Sequence, residues 1–509
     1  MTAEPAGRAP EGDGGTGAPD GKRGAGAPDG RSGTGAPGGT ARLPGGFVVA
    51  LNRHTRVIDG GRALLGGFPT RLVRLTPRAR PLLADDRTVR VRDAASGVLA
   101  DRLLDNGMAY PVVHDLPQNP DPRHTFVVPV HERAAQLDRL LTSIGPGQRV
   151  VVVDDGSRHA DDIEDTAVKH GAQLVVLERN MGPAAARNAG LRLVRTPYVV
   201  FVDSDIVLPP ETVPVLLRHF TDPKVGMAVP RITGLPTAAA TGWIGRYEAA
   251  RSSLDLGRDP AAVRPGTPVS WASTACSVAR VDAMADGFDA AMRVGEDVDL
   301  CWRLIEDGWR VRYEPSVRAE HEHRVRFTDW MLRKAAYGTG AHPLAERHPE
   351  LIAPAVLAPW AGALSLALLA QRRWSLPVAG AVCGVTTVRI ARKLKGADHP
   401  VRLATRLTAN GAVSALSQTG ALLTRHWWPL AAVGCAVSPR IRRAVAVASV
   451  ADVALEYRPG EVGLDPLRYA VARRLDDLAY GTGVWLSALK GRSTAALRPR
   501  LGSGKGASG

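Results

Sequence analysis

The sequence predicts an α/β protein built on a parallel, doubly wound sheet, and three observations carry that expectation. Apolar, β-branched runs at 125–130, 150–153 and 199–202 are separated by polar segments of helix length, the pattern of buried strands in βαβ units. Each run ends in polar or acidic residues: Pro129-Val130-His131-Glu132, Asp154-Asp155-Gly156-Ser157 and Asp203-Ser204-Asp205. Ligands of such sheets gather where the carboxyl ends of the strands open, so all three termini fall where a site would form.

Taken in order, the chain divides into five parts. Residues 1–43 are rich in Gly, Ala, Pro and Asp, with Gly-Ala-Pro-Asp-Gly at 17–21 and again at 26–30, and lack the apolar side chains that would offset chain entropy, so this tail is expected to be disordered. No apolar stretch follows Met1, and no secretory signal is expected. Residues 44–118 form a separate small α+β module: Phe47–Leu51 and Arg71–Leu75 read as strands, and Ala95–Gly107, with Val98, Leu99, Leu103 and Leu104, as an amphipathic helix stopped at Asn106-Gly107. Residues 119–340 hold the sheet, 341–455 an apolar helical region, and 456–509 a last helix and a flexible tail.

The strand ends carry the chemistry. Asp203 and Asp205 lie one residue apart, on the same side of a strand and about 7 Å from each other, and hard oxygen ligands of this kind suit Mg²⁺ or Mn²⁺ against a diphosphate. An ordinary strand-end turn explains any one of the acidic sites, but not three in register. In Asn180-Met-Gly182-Pro183, a turn is followed by a proline fit to open a helix, from which Arg187 projects toward a phosphate or simply toward solvent. Farther on, Gly295–Gly308 reads as a helix with Val298, Trp302 and Ile305 on one face. Its acidic start, Glu296-Asp297, either complements the helix dipole or places a general base beside a cleft. Glu320-His321-Glu322-His323 offers imidazoles as a third metal ligand.

In this order and spacing, the motifs at 129–132, 154–157, 180–188, 203–205, 296–297 and 321 resemble family 2 glycosyltransferases, over roughly residues 122–335. The segment Ile58–Leu75 and the overall layout resemble, more narrowly, the glycosyltransferases of mycofactocin biosynthesis. The resemblance implies a GT-A, Rossmann-like nucleotide-sugar-binding domain and inverting, metal-dependent transfer of glucose from UDP-glucose to a peptide-derived redox-cofactor precursor, extended as β-linked oligoglucose. It implies Asp297 as base, with Glu296 as its substitute. Asp205 would hold a divalent metal with Asp203 and His321, preferred over His323. Pro129, Val130, His131, Glu132, Asp154, Asp155, Arg187, Asp203 and Ser204 would contact the nucleotide sugar. The 44–118 module looks like the winged-helix elements that hold precursor peptides, and a brace on the catalytic domain is the plainer role. Trp271 and Thr274 are candidates for an acceptor subsite, with Trp302 better suited to the core.

Cys276, Cys301, Cys383 and Cys435 form neither a disulfide framework nor a zinc pattern, which fits a reducing cytoplasm. The net charge of +15 invites a nucleic-acid reading, but no nucleic-acid motif accompanies it and the basic residues cluster around apolar segments of the C-terminal third. Anionic lipid at the inner face of the cell membrane is the expected partner. The uncharged run 351–370 has the length of a spanning helix, while those at 375–388, 409–424 and 427–438 are short or broken and favour peripheral or re-entrant attachment. Two other classes fit the motifs: a cell-envelope glycosyltransferase acting on a lipid or polysaccharide, and a non-catalytic scaffold for a precursor peptide.

Overall fold

Phe47, Val49 and Leu51 alternate inward along the first strand and seed a small core of their own. The computed structural model describes residues 42–83, 87–395 and 397–502. The tail expected over 1–43 lies outside the described residues up to position 41, as does the end of the chain from 503, while Leu43 is buried in this first core. The module contains β1 (Val48–Leu51), β2 (Arg56–Ile58), β3 (Ala63–Gly66), β4 (Arg71–Arg74), β5 (Thr88–Arg90), α1 (Ala94–Asp105) and β6 (Ala109–Pro111). The strands form two antiparallel sheets, ordered β5-β1-β6 and β2-β3-β4. Asp93 and Ser96 cap α1 reciprocally, the Asp93 carboxylate accepting the Ser96 N–H at 2.8 Å. The buried stripe of α1 is Ser96, Leu99, Ala100, Leu103 and Leu104; Val98, expected on that face, lies one residue off the 3.6-residue repeat and is exposed.

The large sheet follows the expected βαβ order. It comprises β7 (His124–Val130), α2 (Ala134–Ile144), β8 (Val150–Asp154), α3 (Ala160–Lys169), β9 (Gln173–Val176), α4 (Pro183–Leu191), β10 (Tyr198–Val202), β11 (Ile206–Val207), α5 (Thr212–Arg218), β12 (Val225–Gly234), α6 (Trp243–Arg251), β13 (Ala261–Val263), β14 (Cys276–Arg280), α7 (Glu296–Glu306) and β15 (Arg310–His321). Strand order is β11-β15-β12-β14-β10-β7-β8-β9, with β13 on β15. The run β9-β8-β7-β10 is parallel, and β14 enters antiparallel to β10, making the sheet mixed. Period-two alternation sends Val128, Val152, Val200 and Val202 to one face, against Leu137, Leu140 and Leu141 of α2. The same alternation sends Val127, Val151, Val153, Val199 and Phe201 to the other, against α4 and α7. The chain runs from β7 to β8 on one side and returns to β10 on the other, so the carboxyl ends of β7 and β10 flank the switch point at which α/β sheets open.

Arg310 on β15 fixes the N-terminal module to this sheet. Its guanidinium meets Asp101 and Asp105 of α1 at 2.6 Å each and buried Asp222 at 2.8 Å, while Lys224 reaches Asp101 at 2.7 Å. Leu65 of β3 packs on Leu394 and Leu403 beyond the sheet. The module therefore touches both other parts of the chain.

After α8 (Phe327–Thr339) and α9 (Ala341–Arg347), a short parallel pair joins β16 (Val356–Leu357) to β17 (Arg500–Leu501). Between them lie α10 (Pro359–Ala370), α11 (Ser375–Lys393), α12 (Pro400–Ala421), a π-helical turn at Leu422–His426, α13 (Trp428–Val437), α14 (Pro439–Glu456), α15 (Pro459–Val462) and α16 (Pro466–Lys490). The apolar run 351–370 is helical only from Pro359, because the residue before a proline is driven to extended backbone and Ala358 adopts it. Among the described residues no helix is long and apolar enough to cross a membrane. The 351–370 run thus forms a helix of 12 residues, shorter than the spanning version of the sequence expectation supposed.

Candidate active site

The loops after β7, β8 and β10 are tied together by their own acids. Asp155 accepts the backbone N–H groups of Met181 at 2.6 Å and Gly182 at 2.8 Å, clamping the turn before α4. Gly182 takes φ of 95°, so only a glycine enters α4 here without strain, and Pro183 occupies its first turn as expected. Asp154 is fully buried and its carboxylate accepts the Ser157 N–H at 3.1 Å, closing the turn after β8. Pro129 and Val130 lie within β7, paired with Val153 and Asp154, and Val130 is buried in the core. His131 Nδ1 lies 3.1 Å from the Asp155 carbonyl, and Glu132 accepts the Arg158 N–H at 2.7 Å. That hydrogen bond, with His159 alongside, holds the Glu132 carboxyl below its usual range. Ser204 is buried between the two acids of its motif.

Arg187 is the hinge of the site. Helix α4 delivers it to a position 3% exposed, where it meets Asp203 at 2.6 Å and Glu296 at 3.0 Å, with its guanidinium 5.4 Å from the centre of the Phe288 ring. Burial works against its charge and the two carboxylates outweigh it, so its pKa is raised. An exposed surface arginine is excluded. Next to this pair, Asp297 accepts the Val298 N–H at 2.8 Å in the first turn of α7. Burial, reinforced by the charge of Glu296 and opposed by Arg187, pushes the Asp297 carboxyl up to about 7. That is the range in which a general base works best at neutral pH.

Asp205 pairs with Arg133 and stands 3.6 Å from His321 Nε2. Burial opposes its ionisation, but His321 and Arg133 prevail and hold the carboxyl below its usual range. Its Oδ1 is buried with no hydrogen-bond partner, leaving a hard oxygen beside an imidazole nitrogen. That pair suits a divalent cation, although among the described residues no cluster of three or more such side chains forms, since Asp203 is turned to Arg187. His323 is buried against Gly234, and burial, with His321 second, pushes its pKa down to about 4; His321 is the imidazole that faces Asp205.

Asp203, Asp205, Arg187, Glu296, Asp297 and His321 all line one cavity of about 1800 Å³. Trp271, Thr274 and Trp302 also border it, Trp302 being otherwise core with its Nε1 donating to the Ser270 carbonyl at 2.8 Å. Pro129 to Glu132, Asp154 and Asp155 do not line that cavity. Two residues went unread in the sequence: Arg133, the ion-pair partner of Asp205, and Arg333 of α8, which lines the cavity, lies over the Tyr337 ring at 4.9 Å and feels the charges of Asp203 and Asp205. Arg133 follows the Pro129–Glu132 motif directly, a signal that was present. Arg333 sits in an ordinary amphipathic helix and gave none.

The sequence matches the glycosyl transferase family 2 model over residues 125–258 and that of glycosyl transferase family group 2 over 198–433. It is 43% identical over 473 residues to the pre-mycofactocin glycosyltransferase of Mycobacterium tuberculosis, in strains CDC 1551 and H37Rv, covering 90% of this chain and 99% of that one. The chain belongs to the pre-mycofactocin glycosyltransferases. Its fold is that of a family 2 glycosyltransferase, and the enzyme class follows. A shorter match, 36% identical over 106 residues, is to the undecaprenyl-phosphate 4-deoxy-4-formamido-L-arabinose transferase of Pseudomonas paraeruginosa, covering 19% of this chain and 31% of that one. Among solved structures, a mannosyltransferase from Pyrobaculum calidifontis in complex with GDP-Man and Mn²⁺ aligns with a TM-score of 0.35 at 19% identity, covering 59% of this chain and 88% of that one.

Proposed function

We propose that this pre-mycofactocin glycosyltransferase moves glucose from UDP-glucose to a peptide-derived mycofactocin precursor, inverts the anomeric carbon, and extends the product as a β-linked oligoglucose chain at the inner face of the cell membrane. The geometry that carries the reading is Asp297 in the first turn of α7, on the wall of the cavity that the Arg187 bridge between Asp203 and Glu296 also lines, with burial and the charge of Glu296 raising its carboxyl. Asp297 takes the proton of the acceptor hydroxyl as that oxygen bonds to the anomeric carbon and the bond to the diphosphate breaks, a role worth about 10²–10⁴ in rate. Arg187, held rigid by its two carboxylates, orients Asp203 and Glu296 toward the same cavity. Asp205 and His321 would hold a divalent cation, which when bound offsets charge on the leaving diphosphate; Asp203, turned to Arg187, would join them only on leaving that ion pair. Pro129, Val130, His131 and Glu132 are proposed for the base pocket, Asp154 and Asp155 for the uracil and ribose, and Ser204 for the nucleotide sugar. The N-terminal module is proposed to present the acceptor.

Incubating the purified protein with UDP-glucose and extract of cells lacking it tests the proposal. Successive hexose increments on a small peptide-derived compound are expected. Hexose found instead in the lipid fraction would replace this reading with the envelope alternative, for which the outward apolar side chains of α11, α13 and α14 speak.

A further inference from the structure

Helices α11, α13 and α14 are packed inside out. Those residues of α11 that are buried are Ser375, Ala379 and Thr386, whereas Leu376, Val378, Val385 and Val388 face outward, Leu376 being 75% exposed. On α13 the buried residues are Ala431 and Gly434, and Leu430, Val433 and Val437 project, Val437 at 78%. Helix α14 buries none of its residues fully and exposes Val447 and Val450, the latter at 69%. A helix packed for water turns its large apolar residues in and its polar ones out.

The contacts between these helices have the matching chemistry. Ser365 of α10 and Thr419 of α12 share a hydrogen bond of 2.9 Å, and Thr387 of α11 donates to Thr408 of α12 at 3.1 Å. Gly411 allows close approach, since a Cβ there would lie 2.9 Å from Trp360, and one at Gly434 would lie 2.7 Å from Ile441. Small residues at the contact and hydroxyls bonded across it are how helices associate where apolar side chains gain nothing by turning inward. Sixteen large apolar side chains between 356 and 455 are exposed, more than scattered surface residues account for.

Charge identifies what covers them. Residues 351–451 contain twelve Arg and Lys (372, 373, 389, 392, 393, 395, 402, 406, 425, 440, 442 and 443) against one acid, Asp398. All but Arg425 are exposed, and none forms an ion pair among the described residues. With no helix among the described residues able to cross, the apolar faces can enter only one leaflet, with the cations at its headgroups.

We propose that α10, α11, α13 and α14 form a monotopic face immersed in one leaflet of an anionic bilayer, Leu376, Val433, Val437 and Val450 reaching the acyl boundary and the surrounding arginines the phosphates. This goes beyond attachment in general by naming the face, its depth class and its lipid, and it holds whichever acceptor is correct.

Sedimentation of the full chain with vesicles tests it. Partitioning onto phosphatidylcholine vesicles containing phosphatidylglycerol should exceed that onto phosphatidylcholine alone by at least tenfold at low salt, and the variants Leu376→Gln/Val433→Gln and Val447→Gln/Val450→Gln should each lose at least tenfold while hydrolysing UDP-glucose at the parent rate. Two separate pairs guard against one failing to fold. Trp374, half exposed at the start of α11, gives a reading on the parent protein: the part of its emission absent in Trp374→Phe should shift to the blue and be quenched by lipids brominated in the acyl chain. No binding to either vesicle at low salt would overturn the proposal, as would binding unchanged in both pairs. A concentration-dependent dimer abolished by the same substitutions, without vesicle binding, would assign the face to a second copy of the chain and likewise overturn it.

Discussion

The catalytic sheet and the C-terminal helices place their large apolar side chains in opposite directions. In the sheet, Val127, Val128, Val152, Val153, Val199, Val200 and Phe201 are fully buried, and the charged groups stand at the strand ends where the sheet opens. In α11 and α13 the buried residues are Ser, Thr, Ala and Gly, and the valines and leucines face out. The first region is organised for water outside and chemistry at its rim, the second for an apolar neighbour. Burial of apolar groups stabilises the one, whereas close backbone contact and hydroxyl pairs hold the other.

Arg187→Met should have the largest effect. It leaves Asp203 and Glu296 facing each other without the cation between them, and removing one partner of a buried pair costs about 3–5 kcal/mol, with the partial exposure of Asp203 favouring the lower end. Denaturant unfolding should show that loss, and transfer should fall below detection. Next, Leu140→Ala, in the sheet's core, should cost about 2–5 kcal/mol, whereas Val450→Ala in α14 should stay within about 0.5 kcal/mol in detergent-free buffer. Equal losses at the two positions would erase the contrast between the regions. A smaller effect is expected of Asp205→Ala, which should abolish the part of UDP affinity that responds to Mn²⁺ in calorimetry, with little change in stability. A metal response identical to the parent's would remove Asp205 from the cation.

The catalytic strands were legible because continuous β-branched runs leave little choice of structure, and the acids at their ends were legible because they recur in register. The short strands β2, β3, β5 and β6 carried too few residues for a period to show. Asp154 and Asp155 were correctly placed at a strand end, but their hydrogen bonds to Ser157, Met181 and Gly182 depend on how the chain returns, which spacing alone does not reveal. Arg133 and Arg333 act on acids more than sixty residues away; Arg133 at least adjoins the Pro129–Glu132 motif, whereas nothing local marks Arg333. The apolar run at 351–370 has a spanning length only when counted through Pro354 and Pro359, and the composition of the helices beyond it carries no sign that their apolar sides face outward.

The central claim is that Asp297 is the base, and the pH dependence of single-turnover transfer tests it most directly. With its carboxyl raised from the ordinary range to about 7, the group is protonated and inactive below that pH and ionised above it, so the rate should climb with pH and level off beyond about 7. Asp297→Asn should bind UDP-glucose as the parent does, turn over at least about 10²-fold more slowly, and lose that rise. A variant that keeps both the parent rate and the parent pH profile would contradict the account.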